Sequence, residues 1–129
     1  MPVKVLIVDD DAAFRRIARG ALAERGYDVV AEAQSVAEAR TAVAAAHPDA
    51  VLLDVNLPDG NGIDLCRALT AADPALAVLL VSADAGNGRW AGDCGAVAFV
   101  PKVRLASADL DGLLRGAGGG QELSDRATG

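Results

Sequence analysis

The chain is poor in aromatic residues: two Phe, one Tyr and one Trp make up 3% of its 129 residues. Its core must therefore be aliphatic, drawn from the Val, Leu, Ile and Ala that dominate a hydrophobic share of 52%. Histidine is nearly missing. His47 stands alone, and with only Cys66 and Cys94 beside it the chain lacks the four-ligand set of a structural zinc site. The two cysteines fit no motif spacing and read as small apolar thiols. Positive charge is in deficit: a formal net charge of −6 repels polyanions and argues against direct nucleic-acid binding by this chain. Long apolar runs are absent too, since none approaches the ~20 residues that span a bilayer. The start, Met1-Pro2 and then a short apolar run ending in acids, is unlike a signal peptide. The expected location is the cytoplasm, with no membrane contact.

What the chain does have is a repeated unit of apolar run, turn and helical stretch, at a length usual for one domain. The apolar runs are Val3–Val8, Val29–Ala33, Ala50–Leu53, Ala77–Val81 and Ala96–Val100. The first and fourth are nearly continuous rather than alternating, as in strands buried on both faces of a parallel sheet. Ala12–Arg25 reads as a helix with Phe14, Ile17, Ala21 and Leu22 on one face and Arg15, Arg16, Arg19 and Glu24 mostly on the other. Gly26 stops it. Ser35 and Glu38 form a capping-box pattern for a second helix, carried by Val36, Ala39 and Val43 and ended by His47-Pro48.

Ile63, Cys66 and Leu69 line a third helix, and Ser107 is placed to cap a last one with Leu110, Leu113 and Leu114 facing inward. The stretch Ala83–Gly95 holds four glycines, each costing ~1 kcal/mol relative to Ala inside a helix, so a fourth helix there should be short or frayed. Residues 1–115 form the expected domain. Residues 116–129, opening on Gly116-Ala117-Gly118-Gly119-Gly120, read as a disordered tail or the start of a linker. The expected architecture is α/β: a doubly wound, five-stranded parallel sheet with helices on both faces, in the flavodoxin-like order 2-1-3-4-5.

Polar residues gather where the strands end. The first strand breaks into Asp9-Asp10-Asp11, the third into Asp54, the fourth ends at Ser82, and Lys102 follows the fifth. Acids placed straight after buried strands are costly unless neutralised. A hard divalent cation with oxygen ligands resolves the conflict, and a nearby lysine adds a second counter-charge. Taken singly, each has a bland reading: one of the three acids caps the first helix, Asp54 is a turn residue, Lys102 a solvated charge. Jointly, at four strand ends, they point to one site.

These stretches resemble the receiver domains of two-component response regulators. The matching segments are Val3-Lys4-Val5-Leu6-Ile7-Val8-Asp9-Asp10-Asp11, Val51-Leu52-Leu53-Asp54-Val55-Asn56-Leu57-Pro58-Asp59-Gly60-Asn61-Gly62, Leu80-Val81-Ser82-Ala83 and Phe99-Val100-Pro101-Lys102. The resemblance covers about residues 3–115, and the Asp-x-x-x-Pro-x-x-x-Gly element after an apolar strand is its specific part. It implies that Asp54 is the phosphoacceptor, attacking a phosphohistidine on a sensor histidine kinase. Mg²⁺ (or Mn²⁺) would be held by Asp10 directly, by Asp9 largely through water, by Asp54, and by the backbone carbonyl of Asn56. Lys102 would pair with the phosphoryl group, while Ser82 and Phe99 would act as switch residues. The protein would then be a regulator and not an enzyme, at most catalysing its own phosphorylation and dephosphorylation. Its partners would be the kinase and a downstream effector domain or protein, with homodimerisation on activation and transcription regulation as outputs the family admits.

The pattern departs from the family in places. Pro101-Lys102-Val103 replaces the usual Lys-Pro order, and Pro101 biases Val100 to stay extended. Phe99 lacks the hydroxyl of the commoner Tyr, so it couples through packing alone, or is a core Phe. Trp90 is either a partner anchor or packed on the sheet. The alternative function is a pseudo-receiver, a protein-interaction module that works without phosphorylation. An aspartate-nucleophile phosphatase is disfavoured by Asn56, which stands where a second acid is needed. A flavin-binding domain is disfavoured by Asp9-Asp10-Asp11, which repel phosphate.

Overall fold

The near-continuous apolar runs do become central strands. The computed structural model describes residues 2–83, 94–107 and 112, and all that follows concerns these. Lys4–Val8 (β1), Ala50–Asp54 (β3) and Ala77–Ser82 (β6) are buried along their length except at Lys4. Asp28–Ala33 (β2) and Ala98–Pro101 (β7) are less buried and flank them. The sheet order is β2-β1-β3-β6-β7 with every pairing parallel, which in chain order of its five strands is the expected 2-1-3-4-5. Pro101 sits on edge strand β7, where a residue without an N–H is tolerated.

Alternation along each strand sends side chains to two cores. Val5, Ile7, Leu52, Leu79, Val81 and Val100 face one way, against Phe14, Ala18 and Leu22 of helix Ala12–Glu24 (α1) and against Leu105. Leu6, Val8, Val51, Leu53, Val78 and Leu80 face the other, against Ala39 of Val36–Ala46 (α2) and Leu65, Cys66 and Leu69 of Gly62–Ala72 (α3). Each fully buried Val or Leu contributes ~1.5–3 kcal/mol of burial free energy, so these layers supply the main driving force.

The helix ends follow the expected chemistry, with additions. Asp11 is the acid that caps α1, accepting from the N–H groups of Ala13 at 3.0 Å and Phe14 at 3.4 Å. Gly26 ends it at φ 85°. Ser35 Oγ accepts from Glu38 N at 3.1 Å, and the Glu38 carboxylate reaches back to Gln34 N at 3.2 Å. His47 closes α2 in the left-handed conformation, φ 49°. Ile17 corrects the reading of α1: it is 59% exposed, and Ala18 takes its place on the buried face.

Two further differences concern the loops. Between β3 and α3, Asn56–Leu57 (β4) and Gly60–Asn61 (β5) pair as a small antiparallel ribbon too short to leave a period in the sequence. Lys102–Ser107 forms a 3₁₀ helix directly after β7. The expected last helix with Leu110, Leu113 and Leu114, the expected fourth helix, Trp90 and the tail lie outside the described residues. No helix among the described residues is long and apolar enough to cross a membrane.

Candidate functional site

The strand order sets Asp9, Asp54, Ser82 and Lys102 at the carboxyl ends of four adjacent strands, β1, β3, β6 and β7. The register continues that alignment, with Val8 opposite Leu53, Asp54 opposite Val81 and Ser82 opposite Pro101. The chain leaves β1 toward one sheet edge and β3 toward the other, so the acids lie at the topological switch point where such sheets bind ligands.

Asp9, Asp54 and Ser82 are the buried polar residues of the sheet, at 0%, 4% and 0% exposure. Lys102 bridges the two acids, its Nζ 2.7 Å from Asp9 Oδ2 and 3.3 Å from Asp54 Oδ2. Its ammonium also lies 4.8 Å from the centre of the Phe14 ring, a cation–π contact that steers the side chain into the site. The remaining carboxylate oxygens are held by the backbone: Asp9 Oδ1 accepts from Asp11 N at 2.8 Å and Asp54 Oδ1 from Asn56 N at 3.2 Å. Apart from the Lys102 charge, buried Asp9 Oδ2 has no hydrogen-bond partner among the described residues.

Burial pushes the Asp54 carboxyl above the usual carboxylate range, and the neighbouring Asp9 charge adds to this; the Asn56 N–H and Lys102 pull it back. Burial disfavours the Lys102 ammonium, but contact with Asp9 and the charge of Asp54 more than reverse this and raise its pKa. The two acids and the lysine thus form one charge-coupled cluster.

Asp10 completes an acidic trio. One carboxylate oxygen each from Asp9, Asp10 and Asp54 lies within 4.8 Å of the others, with Asp10 exposed and the other two buried. An all-oxygen donor set of two buried carboxylates and one exposed one suits a hard divalent cation. Asn56 is exposed beside it, at the start of the β4–β5 ribbon. Phe99 is partly buried and packs on the α2–α3 side of the sheet.

Three further contacts support the site. Arg15, on the polar face of α1, donates from Nη1 to the Asp9 carbonyl and from Nε to Glu32 of β2 at 3.0 Å. Arg19 shares that glutamate, and together they hold its carboxyl below the usual range, Arg19 first. Asp59 accepts from Val36 N at 2.7 Å and Ala37 N at 3.1 Å, joining the loop after Asp54 to the start of α2. Gly62 packs on the Asp54 backbone so tightly that a methyl group there would stand 2.0 Å from the Asp54 carbonyl oxygen. The glycine of the Asp-x-x-x-Pro-x-x-x-Gly element signalled this last contact; the other two depend on neighbours distant in sequence.

A doubly wound sheet with a buried Asp at its switch point, a paired acid, a bridging lysine and a strand-end serine defines a class of signalling domain. The chain belongs to the response regulator receiver domain family, whose model matches residues 5–111. It is 52% identical over 81 residues to the DNA-binding transcriptional activator DevR/DosR of Mycobacterium tuberculosis, covering 62% of this chain and 37% of that one. It is 42% identical over 104 residues to the response regulator MprA of Mycolicibacterium vanbaalenii, covering 79% of this chain and 45% of that one. The chain therefore spans less than half the length of these relatives. Its backbone is similar to that of a LuxR-family two-component response regulator from Aurantimonas sp., with a TM-score of 0.79, 28% identity, and coverage of 90% and 87% of the two chains.

Proposed function

We propose that this chain is a phosphorylation switch in which Asp54 accepts a phosphoryl group from a phosphohistidine of a sensor histidine kinase. The observation that carries the reading is the Lys102 bridge: one ammonium contacts both buried carboxylates, Asp9 at 2.7 Å and Asp54 at 3.3 Å, beside exposed Asp10. Phosphoryl transfer asks the protein mainly for positioning and neutralisation of charge, and this cluster offers both. Asp10, Asp9, Asp54 and the Asn56 backbone carbonyl would hold Mg²⁺ or Mn²⁺. When bound, the ion supplies neutralisation of negative charge on the transferring group.

A carboxylate oxygen of Asp54 attacks phosphorus, the bond to the kinase imidazole breaks, and an acyl phosphate results. Lys102 gains a phosphoryl oxygen as partner through a charge-assisted hydrogen bond. The Ser82 hydroxyl, one strand away and fully buried, turns to the same group. Phe99, on the next strand, follows by repacking, since it has no hydroxyl to lead it. New bonds made only in the phosphorylated form bias a two-state equilibrium, which is the work of a switch. Water later cleaves the acyl phosphate, so the only reactions catalysed are the protein's own phosphorylation and dephosphorylation.

Residues 1–115 form the receiver and 116–129 the tail or the start of a linker. The longer relatives, one of them named as a DNA-binding activator, support an effector as the output, with any DNA contact made there and not by this chain of net charge −6. The test is phosphotransfer from an autophosphorylated, isotope-labelled histidine kinase to the chain. Label should pass to the wild type and not to Asp54→Asn. Absence of transfer from every kinase of the same genome would favour a pseudo-receiver.

A further inference from the structure

Cys66 and Cys94 read as unrelated apolar thiols in the sequence, yet the fold brings them together. Cys94 Sγ lies 3.3 Å from Cys66 Sγ, and both residues are buried. The approach is built in from two directions. The Cys94 carbonyl accepts from Cys66 Sγ at 3.4 Å and from Thr70 Oγ1 at 3.0 Å, so two α3 side chains hold the Cys94 backbone. Gly95 follows at φ +89°, and a methyl group on it would stand 2.5 Å from Thr70 Oγ1, so the chain passes over α3 as closely as a glycine permits.

We propose that Cys66 and Cys94 form a reversible intramolecular disulfide, a redox couple that staples α3 to the segment leading into β7. The oxidant is a low-molecular-weight disulfide. One protein thiol gives up its proton and attacks a sulfur of that disulfide, forming a mixed disulfide and releasing one small thiol. The second protein thiol then attacks the protein-side sulfur and releases the other. The protein loses two hydrogens and the oxidant becomes two thiols. The bond needs the two sulfurs to close from 3.3 Å to about 2.05 Å. Burial pushes the Cys66 thiol well above its ordinary range, which makes reaction slow and dependent on local opening.

β7 carries Phe99 and leads to Lys102, so the staple restrains the strand that serves the acidic site from the opposite side. The proposal itself rests on sulfur geometry and not on the phosphorylation reading. It is tested on the full chain equilibrated with oxidised glutathione, quenched in acid, denatured and alkylated with iodoacetamide. The expected product has lost two hydrogens, takes up no alkyl group, carries no glutathione and has the mass of a single chain. Reduction restores two alkylatable thiols, and Cys94→Ser stops at a single retained glutathione. Hydrogen exchange at residues 96–99 should be slower in the oxidised chain. Two alkylatable thiols after that treatment, a mixed disulfide as the wild-type end product, or a disulfide-linked dimer would each overturn the proposal. Unchanged exchange would refute the staple.

Discussion

Gly62 and Asp54 touch through their backbones: a methyl group at position 62 would meet the Asp54 carbonyl oxygen at 2.0 Å. The Gly62 N–H also donates to the Val55 carbonyl at 2.6 Å, so the start of α3 is pressed against the end of β3. Backbone cannot yield as a flexible side chain can. Gly62→Ala should therefore cost about 1–3 kcal/mol, the range of overpacked sites, and displace Asp54 enough to slow its phosphorylation. Urea denaturation and phosphorylation rates measured on one preparation check both halves.

Lys102 neutralises two buried acids at once, so Lys102→Ala should destabilise the fold. Breaking a buried ion pair by removing one partner costs about 3–5 kcal/mol. Lys102 is 18% exposed, and water reaching the gap should reduce the loss to about 1–3 kcal/mol. If the variant unfolds at the wild-type urea concentration, the bridge is not holding the acids.

Arg15 ties the acidic turn to β2 through Asp9 and Glu32. Its removal should loosen the carboxylates without touching them. Outer partners of metal ligands affect affinity by about 10–100-fold, and Arg15→Ala should lie near the lower end for Mg²⁺. Titration calorimetry on the wild type, Arg15→Ala and Arg15→Lys reads this directly.

Asp59 caps α2 from the loop after Asp54, and the Val36 and Ala37 N–H groups that donate to its carboxylate lower its pKa. A depressed folded-state pKa means stabilisation that is full above the ordinary carboxylate value, near ~3.9, and is lost as pH falls through the folded-state value. Asp59→Asn should therefore melt below the wild type at neutral pH. The gap should narrow as pH falls below the ordinary carboxylate value and through the lower folded-state one, and a constant gap in thermal melts would exclude the cap.

The sequence carried the sheet because buried parallel strands leave near-continuous apolar runs, as in Val5–Val8 and Ala77–Val81. It carried the acids because carboxylates after such runs demand an explanation. It did not carry contacts made only in three dimensions. The Asp59 cap, the Arg15–Glu32 pair and the Cys66–Cys94 approach join residues 23, 17 and 28 positions apart, and neither partner has a local pattern announcing the other. On α1 the apolar spacing points to Ile17, yet Ala18 faces inward: hydrophobicity favours the larger residue and helix geometry the smaller. The β4–β5 ribbon was invisible because two-residue strands show no alternation.

The most direct measurement is intact-protein mass after incubation with acetyl phosphate, with and without Mg²⁺, on the wild type and Asp54→Asn. One phosphoryl group should be gained by the wild type, only with Mg²⁺, and none by the variant. Equal gain by both proteins would contradict Asp54 as the acceptor, and no gain by a folded, Mg²⁺-binding wild type would contradict the acidic cluster as a phosphoacceptor site.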